Sequence, residues 1–170
     1  TMILAFSSDW LYTPEQNKII AKALHALGKP ATYIQLDDMH GHDSFLIDSE
    51  PFLQAVRFFL QGINQKSEKP LYAEGFRNLK NRYEVKKEAD FKIIDEWVED
   101  KSRVLDLGCG RGLLLEHLRE SKEVSGLGVD LNLDKALSCI SKEVPVYQED
   151  IRTALKKFEV NSFDWVIFSR

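Results

Sequence analysis

Three glycines at 108, 110 and 112 follow an apolar run at 104–107 and lead into a helical pattern near 112–120. Glycine lets the backbone turn tightly and lets a ligand approach where a Cβ would otherwise stand. The helix start behind them adds free N–H groups and the positive end of a dipole. Two acids follow, Asp130 at 22 residues and Asp150 at 42 residues beyond Gly108, each just past a further apolar strand. A carboxylate at Asp130 can accept hydrogen bonds from both hydroxyls of a ribose, and Asp150 stands where a residue beside an adenine ring belongs. The spacing G-x-G-x-G, in place of G-x-G-x-x-G, favours S-adenosylmethionine over a dinucleotide. The competing reading is a glycine turn and two helix-capping acids in some other α/β sheet.

A second constellation lies in the first third of the chain. Asp9 follows one buried strand and His42 follows the next, 33 residues later, with a final helix behind them. That is the order of acid and histidine in an α/β-hydrolase triad, in which the acid fixes the imidazole tautomer and the histidine is the general base for a serine. Alternatives remain at this stage. Asp9 could cap the following helix, although Thr13 is better placed to do so. His40 rivals His42, and Asp43 could serve as an ion-pair acid. No G-x-S-x-G elbow is present to supply a nucleophile, and the serines at 7, 8, 44 and 49 flank other motifs.

The elements that hold these groups follow from periodicity. Residues 2–6 form a short apolar run and predict a strand. Thr13-Pro14-Glu15-Gln16 is a helix start, with a capping threonine, proline at the first turn and a glutamine that completes a capping box. Ile19, Ile20, Ala23, Leu24 and Leu27 follow at helical spacing, and Gly28 ends the helix. A strand at 31–36, a polar loop at 37–44 and a helix starting near 48 or 49, burying Phe52, Val56, Phe59 and Leu60, complete this piece. Residues 64–70 break the pattern. Phe91, Ile94, Trp97 and Val98 mark a further helix. From Arg103 onward, strands at 103–107, 125–129, 144–148 and 163–169 alternate with helices near 112–120, 134–142 and 151–157. Such alternation predicts βαβ units and a parallel sheet. The predicted organisation is a unit at 1–63, a linker at 64–88 and a unit at 89–170.

Composition bounds the class. Forty-four per cent apolar and 29% charged residues in a chain of 170 describe a globular protein. No apolar run is long enough for a membrane span, and no secretory signal opens the chain. Two cysteines make no disulfide framework, no metal-ligand spacing is present, and a reducing cytoplasm is the simplest setting. A net charge of −4 gives no reason to expect nucleic acid; the balance is −3 over 1–63, +3 over 64–88 and −4 over 89–170. The basic connector could dock on an acidic neighbour or remain a solvated linker. A strand that begins at once and a last strand without its helix give the expectation that the chain is part of a longer product. A sheet lacking half its strands would leave edges open.

The segments Val104 to Gly112, Gly128-Val129-Asp130, Gln148-Glu149-Asp150 and Phe163-Asp164-Trp165-Val166-Ile167 resemble the successive motifs of class I methyltransferases. More narrowly, Arg103-Val104-Leu105-Asp106-Leu107-Gly108-Cys109-Gly110 with Gly128-Val129-Asp130 and Ser162-Phe163-Asp164 resembles the MetW family of methionine biosynthesis. The likeness covers about 89–170, the first half of such a domain. It implies a Rossmann-like fold and S-adenosylmethionine held by Asp106, Gly108, Gly110, Gly112, Asp130 and Asp150. Asp106 either orients the loop, reaches the methionine amino group or braces the turn. Cys109 falls at a position often filled by cysteine in this class without chemistry. Arg111 stands where an acid is common and leaves room for a shifted ligand set; Asp130 replaces a common glutamate and keeps the chemistry. No methyl-acceptor site can be read.

Ser7-Ser8-Asp9-Trp10-Leu11, Pro14-Glu15-Gln16 and Gly41-His42-Asp43-Ser44-Phe45-Leu46 resemble the C-terminal end of homoserine O-acetyltransferases, which are α/β-hydrolase acyltransferases. The resemblance implies that Asp9 and His42 are the catalytic acid and base, that Asp43 has no triad role, and that acetyl-CoA and homoserine are the substrates. The serine and the oxyanion-hole donors of that family would lie upstream, so residues 1–63 alone are expected to be inactive. Together the two likenesses predict an α/β chain: the C-terminal end of an α/β-hydrolase fold followed by the first half of a Rossmann-like methyltransferase fold. They imply a fusion in methionine biosynthesis, with homodimer contacts expected in parts not present. The second unit is either a methyltransferase or a module that senses S-adenosylmethionine and supports the acetyltransferase. A join of two genes by misassembly is the third reading.

Overall fold

The computed structural model of the chain describes residues 1–47, 49–64 and 82–168. Its strands are β1 (Met2–Phe6), β2 (Thr32–Leu36), β3 (Arg103–Leu107), β4 (Ser125–Asp130), β5 (Val146–Gln148) and β6 (Trp165–Ile167). Its helices are α1 (Pro14–Ala26), α2 (Glu50–Asn64), α3 (Arg82–Trp97), α4 (Leu113–Lys122), α5 (Leu133–Ser141) and α6 (Ile151–Leu155).

All strands pair in parallel in one sheet of order β1-β2-β5-β4-β3-β6. Parallel sheets need both faces covered. On one face, Ala21 of α1 and Ala154 of α6 pack with Tyr33, Leu105, Leu107, Leu127, Val129 and Tyr147. On the other, α2, α4 and α5 bury Ala55, Leu114, Leu115, Leu118, Ala136 and Leu137. Strands β4 and β5 run to one side of β3 and β6 crosses to the other, so the chain reverses direction in the sheet beside β3. Crevices beyond the carboxyl ends of strands at such reversals are where α/β sheets bind ligands.

Helix α1 begins as its sequence predicts. The Gln16 N–H donates to Thr13 Oγ1 at 3.4 Å and the Thr13 N–H donates to Gln16 Oε1 at 3.0 Å, closing a capping box. Its apolar stripe behaves differently: Ile19, Ile20 and Leu27 are exposed, while Ala21 is buried. The small Ala21 lets the helix sit close over Tyr33 and Tyr147, and Lys18 reaches Glu149 beneath it at 3.2 Å. Leu60 of α2, expected inside, is likewise exposed, and Ala55 takes the buried place.

Other boundaries differ for identifiable reasons. The loop expected at 37–44 contains a 3₁₀ helix, Gly41–Leu46. Ser44 Oγ ties it down by donating to Gly41 O (2.8 Å) and Asp38 Oδ1 (2.9 Å). Strand β5 starts at Val146, after Pro145, which has no N–H for a ladder. Of the expected linker, 65–81 lies outside the described residues, and 82–88 is helical as the start of α3.

The edges of the two pieces meet at β2 and β5. Tyr33 stands opposite Tyr147. Side chains complete much of this ladder: the Gln35 N–H donates to Gln148 Oε1 (3.0 Å) and the Val146 N–H to Thr32 Oγ1 (3.4 Å).

At the far side, the Arg103 guanidinium grips both oxygens of Asp164, at 2.7 and 3.1 Å, and the Arg103 N–H adds a third bond at 2.8 Å. The side-chain and backbone bonds from Arg103 lower the Asp164 carboxyl from 3.8 to about 2. A depressed carboxyl adds stability above its ordinary pKa and loses it as pH falls through the folded value. The stability gap between wild type and Asp164→Asn is therefore expected to close as pH falls from about 4 to about 2. The gap at neutral pH is small because the pair is half-exposed. Urea midpoints across that range are the check.

Candidate functional site

The loop after β3 turns on three glycines at positive φ: Gly108 (79°), Gly110 (58°) and Gly112 (74°). The N–H groups of Gly108 and Cys109 donate to Val129 O at 2.8 and 3.1 Å, which pins the loop to the end of β4. A Cβ at Gly110 would meet nothing within 4 Å, so this side of the loop is open to an approaching group. Helix α4 follows its N-cap Gly112 with no side-chain cap bond, which leaves its first N–H groups without a capping partner.

Asp130 closes β4 and is 7% exposed. Its Oδ2 accepts the Gly110 N–H at 3.0 Å and lies 3.5 Å from Lys135 Nζ; its Oδ1 accepts the Asn132 N–H at 2.9 Å. A carboxylate offers about four lone-pair sites, so these bonds fix its orientation and leave capacity for two hydroxyl donors. Asp150 caps α6 through Arg152 N at 2.9 Å and is partly exposed at the end of β5. Asp106 is fully buried in β3, behind the loop. Asp130, Gly110 and the start of α4 thus fit the ribose and charged end of an adenosyl ligand; Asp106 is enclosed and Asp150 is at the rim.

Two groups near this loop have buried surroundings that their local sequence does not predict. Glu149 is buried between Lys18 of α1 and Lys157, which it meets at 3.2 and 2.5 Å. Cys139 of α5 lies under the loop, its sulfur 3.3 Å from Gly110 O. Both depend on contacts far apart in sequence. The Cys109 sulfur fills the notch that Gly128 leaves: a Cβ there would stand 2.5 Å from it. Gly128→Ala is expected to cost about 1–3 kcal/mol by overpacking. Adding Cys109→Ala should recover part of the loss, as read by urea unfolding of the single and double variants.

The other constellation is assembled as a dyad. The loop after β1 carries Asp9 and the loop after β2 carries His42, and their Oδ2 and Nδ1 atoms are 3.0 Å apart. Asp9 is 8% exposed, and its Oδ1 accepts the N–H groups of Leu11 (2.9 Å) and Tyr12 (3.0 Å). Burial alone pushes this carboxyl up, but the bond from His42 and those from Tyr12 and Leu11 outweigh it and hold Asp9 below the ordinary carboxylate range. An ionised carboxylate only accepts, so Nδ1 carries the proton and Nε2 is the basic nitrogen. Tyr12 and Phe45 flank the imidazole, with ring centroids at 5.1 and 5.4 Å.

His40 forms a separate, exposed pair with Asp38 at 2.7 Å. That pair is local, two residues apart, whereas the Asp9–His42 pair joins two strand ends. Ser7 and Ser8 accept the N–H groups of Asp38 (3.3 Å) and Gly41 (2.9 Å), and Ser44 is bonded as above. Among the described residues no hydroxyl or thiol is bonded to His42. Trp10, Leu11, Tyr12, Met39, Phe45 and Leu46 leave an exposed apolar surface around it. Because every strand is parallel, the dyad, the glycine loop, Asp130 and Glu149 all lie at the same carboxyl edge of the sheet. Among the described residues no helix is long and apolar enough to cross a membrane, and no group of three or more His, Cys, Asp or Glu could hold a metal ion.

Known proteins carry the same two likenesses. The family model for the methionine biosynthesis protein MetW matches residues 88–170. A bifunctional methionine biosynthesis protein MetXA/MetW of Rhodopirellula baltica is 29% identical over 180 residues, covering 99% of this chain and 27% of that protein. A homoserine O-succinyltransferase of Psychrobacter arcticus is 48% identical over 59 residues, covering 35% of this chain and 13% of that protein. A homoserine O-acetyltransferase of Geobacter metallireducens is 44% identical over 61 residues, covering 36% of this chain and 16% of that protein. The chain thus spans well under a third of the length of these relatives.

Proposed function

We propose that the chain belongs to a longer bifunctional protein of methionine biosynthesis. Residues 1–63 are the closing segment of an α/β-hydrolase-type homoserine O-acyltransferase. Residues 89–170 open an S-adenosylmethionine-binding domain. The observation that carries the acyltransferase part is the buried Asp9–His42 dyad joining two strand ends at 3.0 Å. Asp9 holds the imidazole so that Nε2 takes the proton of a nucleophilic serine supplied by the rest of the protein and gives it to the departing CoA thiolate; it then takes the homoserine hydroxyl proton and passes it to the serine as the acyl group leaves the enzyme. The apolar surface around His42 suits cover by that remaining part. The bifunctional relative, similar along nearly the whole chain, supports the joining of the two activities.

Acetyl-CoA is the acyl donor in this reading. Succinyl-CoA is the second, favoured by the equal likeness to a relative named for succinyl transfer. Comparing kcat/KM for the two thioesters with homoserine, in the full-length protein, separates them.

S-adenosylmethionine binds at Gly108, Gly110 and Gly112 with Asp130 on its ribose and Asp150 near its adenine. The ligand carries its own activated methyl group when bound, so the chain's residues have only to place it. Asp130→Ala is expected to weaken binding by about 1–3 kcal/mol, the cost of a lost charged hydrogen-bond partner; calorimetry on the 170-residue chain checks it, and an unchanged affinity removes Asp130 from the site. The Lys18–Glu149 contact links α1, which follows the Asp9 loop, to the loop bearing Asp150. The second domain is read as a module that tunes acyl transfer, with a methyltransferase as the alternative. Acyl transfer rates with and without S-adenosylmethionine decide: an unchanged rate together with methylation of a metabolite would overturn the module.

A further inference from the structure

The geometry points to a redox-active dithiol under the glycine loop: Cys109 and Cys139 are placed to form a disulfide that pulls the loop away from Asp130. Cys109 lies between the first two loop glycines, and Cys139 comes from α5. Both are buried, at 8% and 0% exposure. Both sulfurs converge on one acceptor, Gly110 O, at 3.8 and 3.3 Å. Each sulfur occupies a notch where a glycine lacks its Cβ, Cys109 against Gly128 and Cys139 against Gly112; the missing Cβ atoms would stand 2.5 and 3.0 Å from them. These are the two cysteines of the 170 residues.

The reaction balances with a peroxide as oxidant. One sulfur attacks hydrogen peroxide to give a sulfenic acid and one water. The second thiol displaces the hydroxyl as another water, forming the S–S bond. Two S–H bonds are broken, and both electrons pass to the peroxide oxygens.

A disulfide spans about 2.05 Å, far shorter than any non-bonded approach of two sulfurs, so the two must close on each other to form it. The backbone at 109–110 moves with them, and it carries the Gly110 N–H that holds Asp130 at 3.0 Å. Oxidation therefore disturbs the acid that binds the ribose. The Cys139 thiol, burial and the nearby charges of Asp106 and Asp130 raise the Cys109 thiol pKa. Oxidation is consequently slow while the loop is closed, and a ligand that holds it closed slows it further.

The effect on the ligand rests on the adenosyl reading above; the disulfide does not. The test treats the full-length protein with hydrogen peroxide, then maps peptides by mass and titrates S-adenosylmethionine. The expected result is a peptide linking 109 to 139 with the loss of two hydrogens, and an affinity about tenfold weaker, within the usual range for coupled sites. Dithiothreitol should restore the affinity. Cys139→Ser should give neither the link nor the affinity change. Oxygen addition at Cys109 without the link overturns the dithiol. A linked chain with unchanged affinity overturns the switch. A linked chain that binds the ligand in neither redox state removes the adenosyl reading and leaves the dithiol standing.

Discussion

His42→Ala is expected to lower kcat for homoserine acylation in the full-length protein by on the order of 10⁴–10⁶-fold, the loss seen when the base of a triad is removed. The KM for homoserine should change little, because the imidazole moves a proton and does not hold the substrate. The fold should survive: His42 is about one-third exposed, at 34%. Asp9 also keeps the N–H groups of Leu11 and Tyr12 after His42 is lost. Unfolding midpoints near wild type, together with the lost turnover, would separate a catalytic defect from a structural one. His40→Ala is the control, since His40 is exposed and pairs with Asp38 instead of Asp9, and it should leave kcat nearly intact.

Asp9→Asn should cost about 10⁴-fold in kcat by a different route. Asn keeps an oxygen for the N–H groups of Leu11 and Tyr12, which fixes its amide with the NH₂ toward His42. That NH₂ donates to Nδ1 and forces the proton onto Nε2, the nitrogen that must accept it from the nucleophile. The variant should fold and bind homoserine normally, yet turn over as though the base were absent. NMR of the imidazole nitrogens can read the tautomer directly. A variant with the wild-type tautomer and rate would show that Asp9 does not set it.

The parts of this fold legible in the sequence are those set by local physics. The capping box at Thr13 and the placing of glycines at the strand-to-helix turn after Leu107 are local signals, and the structure keeps them where periodicity and turn chemistry put them. The carboxyl-edge position of Asp130 follows from the same alternation of strand and helix. The less legible parts depend on long-range contact. Nothing local says that Gln148 will complete the ladder for Gln35, or that Glu149 will sit buried between Lys18 and Lys157. The outward turn of Ile19, Ile20 and Leu27 follows from Ala21 being the residue small enough to lie on the tyrosines. The 3₁₀ helix around His42 depends on Ser44 reaching back to Asp38, a bond that composition does not reveal. Residue chemistry alone leaves His40 beside His42; the motif wording chooses His42, and the structure sets it 3.0 Å from Asp9.

The most direct test is acyl transfer to homoserine by the full-length protein, with acetyl-CoA and succinyl-CoA as donors. The expected product is O-acylhomoserine from at least one of them, with the ping-pong kinetics of a covalent acyl-enzyme and with turnover lost in His42→Ala. A folded protein that binds S-adenosylmethionine and acylates homoserine from neither thioester would contradict the acyltransferase reading.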